Sequence, residues 1–339
     1  MRLLPAFWSK NKTFFLVILP ILTFNACFRT LMPVNAEDRA TEEQQPVPSQ
    51  AERMMKALSA AYPDRISPAE FRTSGEDGSG DWAFSIEGTW FYYAEGRILP
   101  EELRSHATDY RPLGFFNNYP AELPPWESTA EQRLTRTRNY EESRARQAQL
   151  DRQSPPERPA GRQAARPSYY FFETLWNMSN REESRSQQAQ VAFLGHTVTV
   201  HSDISPIVAR IENIILNEAK TNPAVRQWIN SLGLVEGWNW RSVASSGNRS
   251  NHSYGIAIDL LPGNLRGMAT YWLWSSQQTP LWWDIPYTER YHPPEEVIRA
   301  FESFGFMWGG KWGNYDTMHF EYRPEVFIIS GLSMGNFNP

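Results

Sequence analysis

A single cysteine, Cys27, stands in the 339 residues, which excludes an internal disulfide and any metal site built on paired thiolates. No His-Glu-x-x-His string occurs, so a thermolysin-like zinc helix is excluded as well. His319-Phe320-Glu321 taken alone would suit a zinc deaminase, but those enzymes need a paired-cysteine motif that this chain lacks. Long apolar runs are missing too. The best one, Phe14 to Phe24, is interrupted by Pro20 and Thr23 and falls short of the roughly 20 residues of a permanent membrane span. Charge of either sign is not in large excess, 33 basic against 38 acidic residues for a net of −5, and no basic cluster falls on a predicted folded element. Nucleic acid is therefore not an expected partner.

What the chain does have is gathered between Trp238 and Pro324, in two polar constellations separated by an aromatic stretch. The first is Arg241 followed by SNHSYGIAID, Ser250 to Asp259; the second is GGKWGNYDTMHFEYRPE, Gly309 to Glu325. Imidazole and carboxylate are ligands for a zinc ion, and His252, Asp259 and His319 supply three. In an extended chain, seven positions would separate His252 from Asp259 by roughly 23 Å at about 3.3 Å per residue. The chain must bend between them, and Gly255 and Ser253 sit where a bend is tolerated. His319 begins an alternating run in which Met318, Phe320 and Tyr322 face away from it, and Asp316 falls in the turn before. A three-ligand zinc leaves a position open for water and needs a nearby base. Asp316 is the first candidate and Glu321 the second. Arg241 is suited to hold a substrate carboxylate or to stabilise an oxyanion.

These residues resemble the zinc D-alanyl-D-alanine carboxypeptidase family, which includes vancomycin-resistance D,D-peptidases and phage endopeptidases that cut L-alanyl-D-glutamate bonds. The resemblance spans roughly residues 193 to 329, from FLGHTVTVHSDI onward. It implies His252, Asp259 and His319 as metal ligands, Asp316 as the acidic base three residues before the last ligand, and Arg241 as the family's arginine. Ser250 stands where the family has a serine with a substrate or supporting role. Many members carry Glu in place of Asp316, so the resemblance leaves the preferred bond open. The implied fold is α+β, an antiparallel sheet with flanking helices shared in outline with the Hedgehog signalling domain.

In chain order, Arg2, Lys10 and Lys12 before the Phe14–Phe24 run predict a signal peptide. Its exit is either the small-residue site Val34 to Ala36 or a lipoprotein site at Cys27, giving a secreted, periplasmic or lipid-anchored envelope protein. Residues 37 to 80 read as a tether with one short helix near Glu52 to Tyr62. Residues 81 to 126 read as a small β-rich unit with a hairpin at Gly88. From 127 to 168 nine Arg and six acidic residues with few large apolar side chains predict a disordered linker. Residues 169 to 335 would form the zinc domain. It is expected to contain an amphipathic helix after Ser205, a second helix opening at Pro223, and a third from Pro294 to Gly305. Trp272, Trp274, Trp282 and Trp283 are expected mostly in the core, with one or two walling the cleft, and Trp308, Lys311 and Trp312 are expected at the cleft, with Trp312 as a substrate contact.

The expected activity is zinc-dependent removal of terminal D-alanine from peptidoglycan stem peptides. The alternatives are a peptidoglycan endopeptidase, cutting an L-Ala-D-Glu bond or a cross-link, and a zinc-containing domain that binds peptidoglycan without cutting it.

Overall fold

The computed structural model describes residues 48–73, 79–113, 119–123, 129–152, 167–243 and 248–335. The predicted signal segment, Cys27 and the Pro-rich end of the predicted linker lie outside them. Among the described residues no helix is long and apolar enough to cross a membrane.

Helix α1 (Gln50–Ala61) opens on Ser49, whose hydroxyl accepts the Glu52 amide, and buries Met54, Met55 and Leu58. An antiparallel meander follows: β1 (Glu70–Thr73), β2 (Gly80–Ile86), β3 (Thr89–Ala94) and β4 (Arg97–Pro100). The turn between β2 and β3 runs through Glu87 and Gly88, both at positive φ, the geometry of a tight two-residue hairpin loop. After α2 (Ala130–Arg152) come the short helices α3 (Tyr170–Leu175) and α4 (Arg181–Ser186) and the hairpin of β5 (Gln188–Phe193) with β6 (His196–His201). Two helices pack beside it, α5 (Ser205–Glu218) and α6 (Pro223–Ser231). Asn222 caps α6, accepting amides of Ala224 and Val225, with Pro223 in the first turn as the sequence predicts. In α5 the buried seam is Val208, Ile211 and Ile215, while Ile214 is turned out.

The second sheet carries the two constellations. Its strands β7 (Leu232–Glu236), β8 (Ala257–Pro262), β9 (Phe306–Trp308) and β10 (His319–Tyr322) lie in the order β7-β8-β10-β9, all antiparallel. Helix α7 (Trp272–Gln278) lies in the aromatic stretch between them, α8 (Glu295–Glu302) leads into β9, and α9 (Pro324–Ile329) follows β10. The α+β class with antiparallel sheets is thus present.

Three expectations are corrected. Residues 50 to 61 are no tether: Met54, Met55 and Leu58 belong to the same continuous apolar core as Phe301, Phe320 and Tyr322. Burying that face stabilises far more than leaving it in water, at roughly 25 cal/mol per Å2 of apolar surface. The predicted linker is helical over Ala130–Arg152, because this run has neither Gly nor Pro and is rich in Ala, Glu, Gln and Arg. That helix lacks an apolar face, leaves Leu134 exposed, and touches the rest through an Arg133–Asp284 ion pair at 3.2 Å. Finally, Trp272, Trp274, Trp282 and Trp283 do not enter the core; each keeps part of its ring exposed.

Helix α3 joins the two sheets. Phe171 packs against Phe84 and Phe91 of the first sheet, with ring centroids 5.8 and 6.2 Å away, while Phe172 meets Tyr254 beside the polar constellation at 5.7 Å.

Candidate metal centre

Pairing of β8 with β10 places Asp259 directly opposite His319, so two of the three predicted ligands meet by sheet register alone. His252 arrives from a single 3-10 turn, Asn251–Tyr254, capped by Ser250, whose hydroxyl accepts the His252 amide at 3.3 Å. Gly255 ends that turn at φ +73° and redirects the chain into β8, the bend that the seven-residue spacing demands. Any Cβ there would lie 1.9 Å from Gln188 Oε1 and 2.7 Å from the His201 amide nitrogen. Gly255→Ala is therefore expected to destabilise the fold by about 1–3 kcal/mol and to weaken metal binding by displacing His252; thermal melts with and without metal check both.

The outer nitrogens of both imidazoles are spoken for. His252 Nδ1 donates to the Gly237 carbonyl at 2.5 Å, and His319 Nε2 donates to Glu321 Oε2 at 3.1 Å. That leaves His252 Nε2 and His319 Nδ1 facing each other at 3.2 Å, with Asp259 Oδ1 at 3.2 and 2.8 Å from them. Two lone pairs and a carboxylate converging in a buried place require a positive species between them. Without metal that species is a proton. Burial alone would lower the His319 pKa, but the hydrogen bonds it donates to Asp259 and Glu321 raise it well above the usual histidine range. Burial likewise pushes the Asp259 carboxyl up, and the two imidazoles override it and hold it far below normal. Ligand atoms of His252, Asp259 and His319 all lie within 4.8 Å of one another, so this donor set can hold a metal ion. Two nitrogens and one oxygen make a three-ligand set with room for a fourth.

The centre opens into a cleft of about 870 Å3 whose lining includes Arg241, Ser250, Trp272, Trp274, Trp312 and Asp316. Asp316 is fixed by a bridge to Tyr271, and its carbonyl accepts the His319 amide at 3.2 Å. Its Oδ1 is buried with no hydrogen-bond partner, and burial pushes its pKa up to about 7. A carboxyl with a raised folded-state pKa stabilises the fold below its unfolded value of about 4 and loses that contribution as pH rises through about 7. Metal-free Asp316→Asn should therefore match the parent near pH 4 and become progressively more stable than it between about pH 4 and 7. Melting curves of the chelated proteins across that window check the sign.

Arg241 reaches the centre with Nη2 4.0 Å from Asp259 Oδ2 and keeps 42% of its side chain exposed, a guanidinium available to an incoming anion. Its backbone is clamped by Ser253, whose Oγ accepts the Arg241 amide at 2.9 Å and donates to its carbonyl at 2.8 Å. Trp312 lies against His319, with ring centroids 5.5 Å apart. Two residues expected at the cleft are not there. Trp308 is fully buried and donates its indole N–H to the Thr317 carbonyl, and Lys311 is buried against Glu302 and the Pro120 carbonyl. Tyr271, Trp272 and Trp274 line the cleft instead, with Tyr271 and Trp274 ring centroids 5.6 Å apart and Trp282 packed against Trp272 at 5.0 Å. His201 is held by the Asp203 amide and the Trp176 carbonyl, away from the cluster, and His292 stacks on Tyr287.

Sequence reading missed the supporting groups. Glu236 on β7 stands opposite Asp259 and lines the cleft, with no motif to signal it. Asn251 donates to Glu321 Oε2 at 2.7 Å; its place inside SNHSYG was the available signal. Glu321, considered as a base, is occupied as the acceptor of His319.

Two family models match the chain. Residues 54–115 match a domain of unknown function. Residues 244–322 match the model described as D-alanyl-D-alanine carboxypeptidase, a span that includes the three candidate ligands, Ser250, Trp312 and Asp316 and begins three residues after Arg241. No solved structure matches the chain. The segment that carries His252, Asp259 and His319 is thus similar to the D-alanyl-D-alanine carboxypeptidase family over residues 244–322.

Proposed function

We propose that the chain is an exported zinc D-alanyl-D-alanine carboxypeptidase that acts on peptidoglycan stem peptides. The observation that carries this reading is the convergence of His252 Nε2, His319 Nδ1 and Asp259 Oδ1 beside a carboxyl with an unpartnered buried oxygen, Asp316.

His252, Asp259 and His319 would hold a zinc ion, which would supply Lewis acidity for water and the scissile carbonyl. Asp316 takes the proton from the attacking water and returns it to the leaving amine, a role favoured by a pKa near the working pH. Arg241 pairs with the terminal carboxylate that a D-alanine end presents, since its guanidinium projects into the cleft. Ser250 acts by fixing the turn that carries His252, and Trp312 walls the space over His319. Export fits the predicted signal segment and a substrate that lies outside the membrane, with cleavage at the Val34–Ala36 site or lipid attachment at Cys27 as the two exits from it.

The test is mass spectrometry of muropeptides incubated with the full chain, with and without a chelator. Chelator-sensitive loss of one D-alanine is expected. Chelator-sensitive cleavage elsewhere in the stem would assign an endopeptidase, and bound zinc with every muropeptide intact would assign a binding domain.

A further inference from the structure

The metal centre is connected by buried polar groups to the amino-terminal part of the chain. His319 Nε2 donates to Glu321 Oε2. The other oxygen of Glu321 pairs with Arg323 Nη1 at 3.5 Å. Arg323 Nε donates to Glu325 Oε1, and its guanidinium lies over the Phe172 ring. Glu325 Oε2 accepts the hydroxyl proton of Tyr62 at 2.7 Å. Every side chain in this series is at least nine-tenths buried. Tyr62 directly follows α1 and falls within residues 54–115, the span that matches a domain of unknown function.

We propose that Tyr62 is a positioning residue for the metal centre: through Glu325 and Arg323 it fixes the carboxylate of Glu321 that orients His319. The inference rests on the metal-binding reading of the site given above. It assigns the amino-terminal domain a task, completing the support of a ligand that the carboxypeptidase segment supplies.

Three physical points carry it. A ligating imidazole presents the correct nitrogen only when its other nitrogen is held, and such supporting partners tune metal affinity strongly. Glu321 cannot be held by Asn251 alone, because Asn251 binds Oε2, the oxygen that already accepts from His319, and leaves Oε1 to Arg323. Arg323 in turn is aimed by Glu325, which is wholly buried and takes its second donor from Tyr62. In a series this deeply buried each member must stay satisfied, so loss of the terminal hydroxyl propagates inward. Tyr62 remains a donor throughout the working range, since burial and the charge of Glu325 both push its phenol far up.

The experiment measures zinc affinity of the full chain by competition with a chromophoric chelator, beside thermal melts of the chelated proteins. Tyr62→Phe is expected to weaken zinc binding by about tenfold, the lower end of what supporting partners contribute. Glu325→Gln should weaken it similarly, and the double variant by less than the product of the two, because both act through one series. Leu58→Ala, in the same helix and core but apolar, is the control for general loosening. It should lower the melting temperature with zinc affinity unchanged. Should Tyr62→Phe not fold, Glu325→Gln carries the comparison. Parent-like zinc affinity in both polar variants overturns the inference, as does an equal loss in Leu58→Ala. A parent chain that binds no zinc would overturn the functional reading and this inference together, whereas zinc binding indifferent to Tyr62 removes the inference alone.

Discussion

Asp316→Ala is expected to reduce hydrolysis of D-alanine-terminated stem peptides by roughly 10²- to 10⁴-fold, the usual contribution of a general base, with zinc content close to the parent's. The two effects separate because Asp316 stands outside the ligand cluster of His252, Asp259 and His319 yet lines the same cleft. It has the attributes of a base kept ready. One oxygen is buried and unpartnered, the carboxyl sits near pKa 7 because burial disfavours its charge, and its backbone is pinned by Tyr271 on one side and His319 on the other. Side chains that serve only to stabilise a fold are usually satisfied. Metal analysis and turnover measured on one preparation decide the matter: equal loss of both would move Asp316 into the ligand set.

His252→Ala should do what Asp316→Ala does not. Zinc content should fall to background and hydrolysis should become undetectable. Chelator should then leave the melting temperature of the variant unchanged while lowering that of the loaded parent. A ligand present at a hundredfold excess over its dissociation constant stabilises by about 2.7 kcal/mol, and that increment is what the variant lacks. The effect is large because His252 is one of the three members of the donor cluster found among the described residues. Residual stoichiometric zinc in His252→Ala would show that Glu236 or another cleft carboxylate can substitute, and would change the ligand assignment.

The candidate site was legible in the sequence because its chemistry is local. His252 and Asp259 lie on one turn-and-strand, Asp316 and His319 on one turn-and-strand, and Gly255 marks the bend that lets the first pair converge. Spacing fixes such geometry before any long-range contact forms. The aromatic residues were harder to place. Four tryptophans in the stretch between the constellations look like core by composition, yet all stay partly exposed and Trp272 and Trp274 line the cleft, while Trp308, which looks equivalent, is sealed inside. Hydrophobicity states that a ring gains by leaving water; which rings find space depends on helices and strands distant in the chain. The helix over Ala130–Arg152 shows the opposite failure, since a polar run with good helix formers needs no core to be helical.

By itself the sequence determined the α+β class and pointed to His252, Asp259 and His319 as a candidate donor set with the acid Asp316 beside it, because residue type and short spacing set ligand chemistry. Only the tertiary structure decided which nitrogen each imidazole presents, since that depends on Gly237 and Glu321 as acceptors. It alone decided that α1 and the first sheet share the core of the sheet that carries Asp259 and His319, and that Tyr62 ends a buried series reaching His319. Tyr62 and Glu325 are 263 positions apart. No periodicity spans such a distance, and a hydrogen bond between such groups exists only once folding has brought both out of water together.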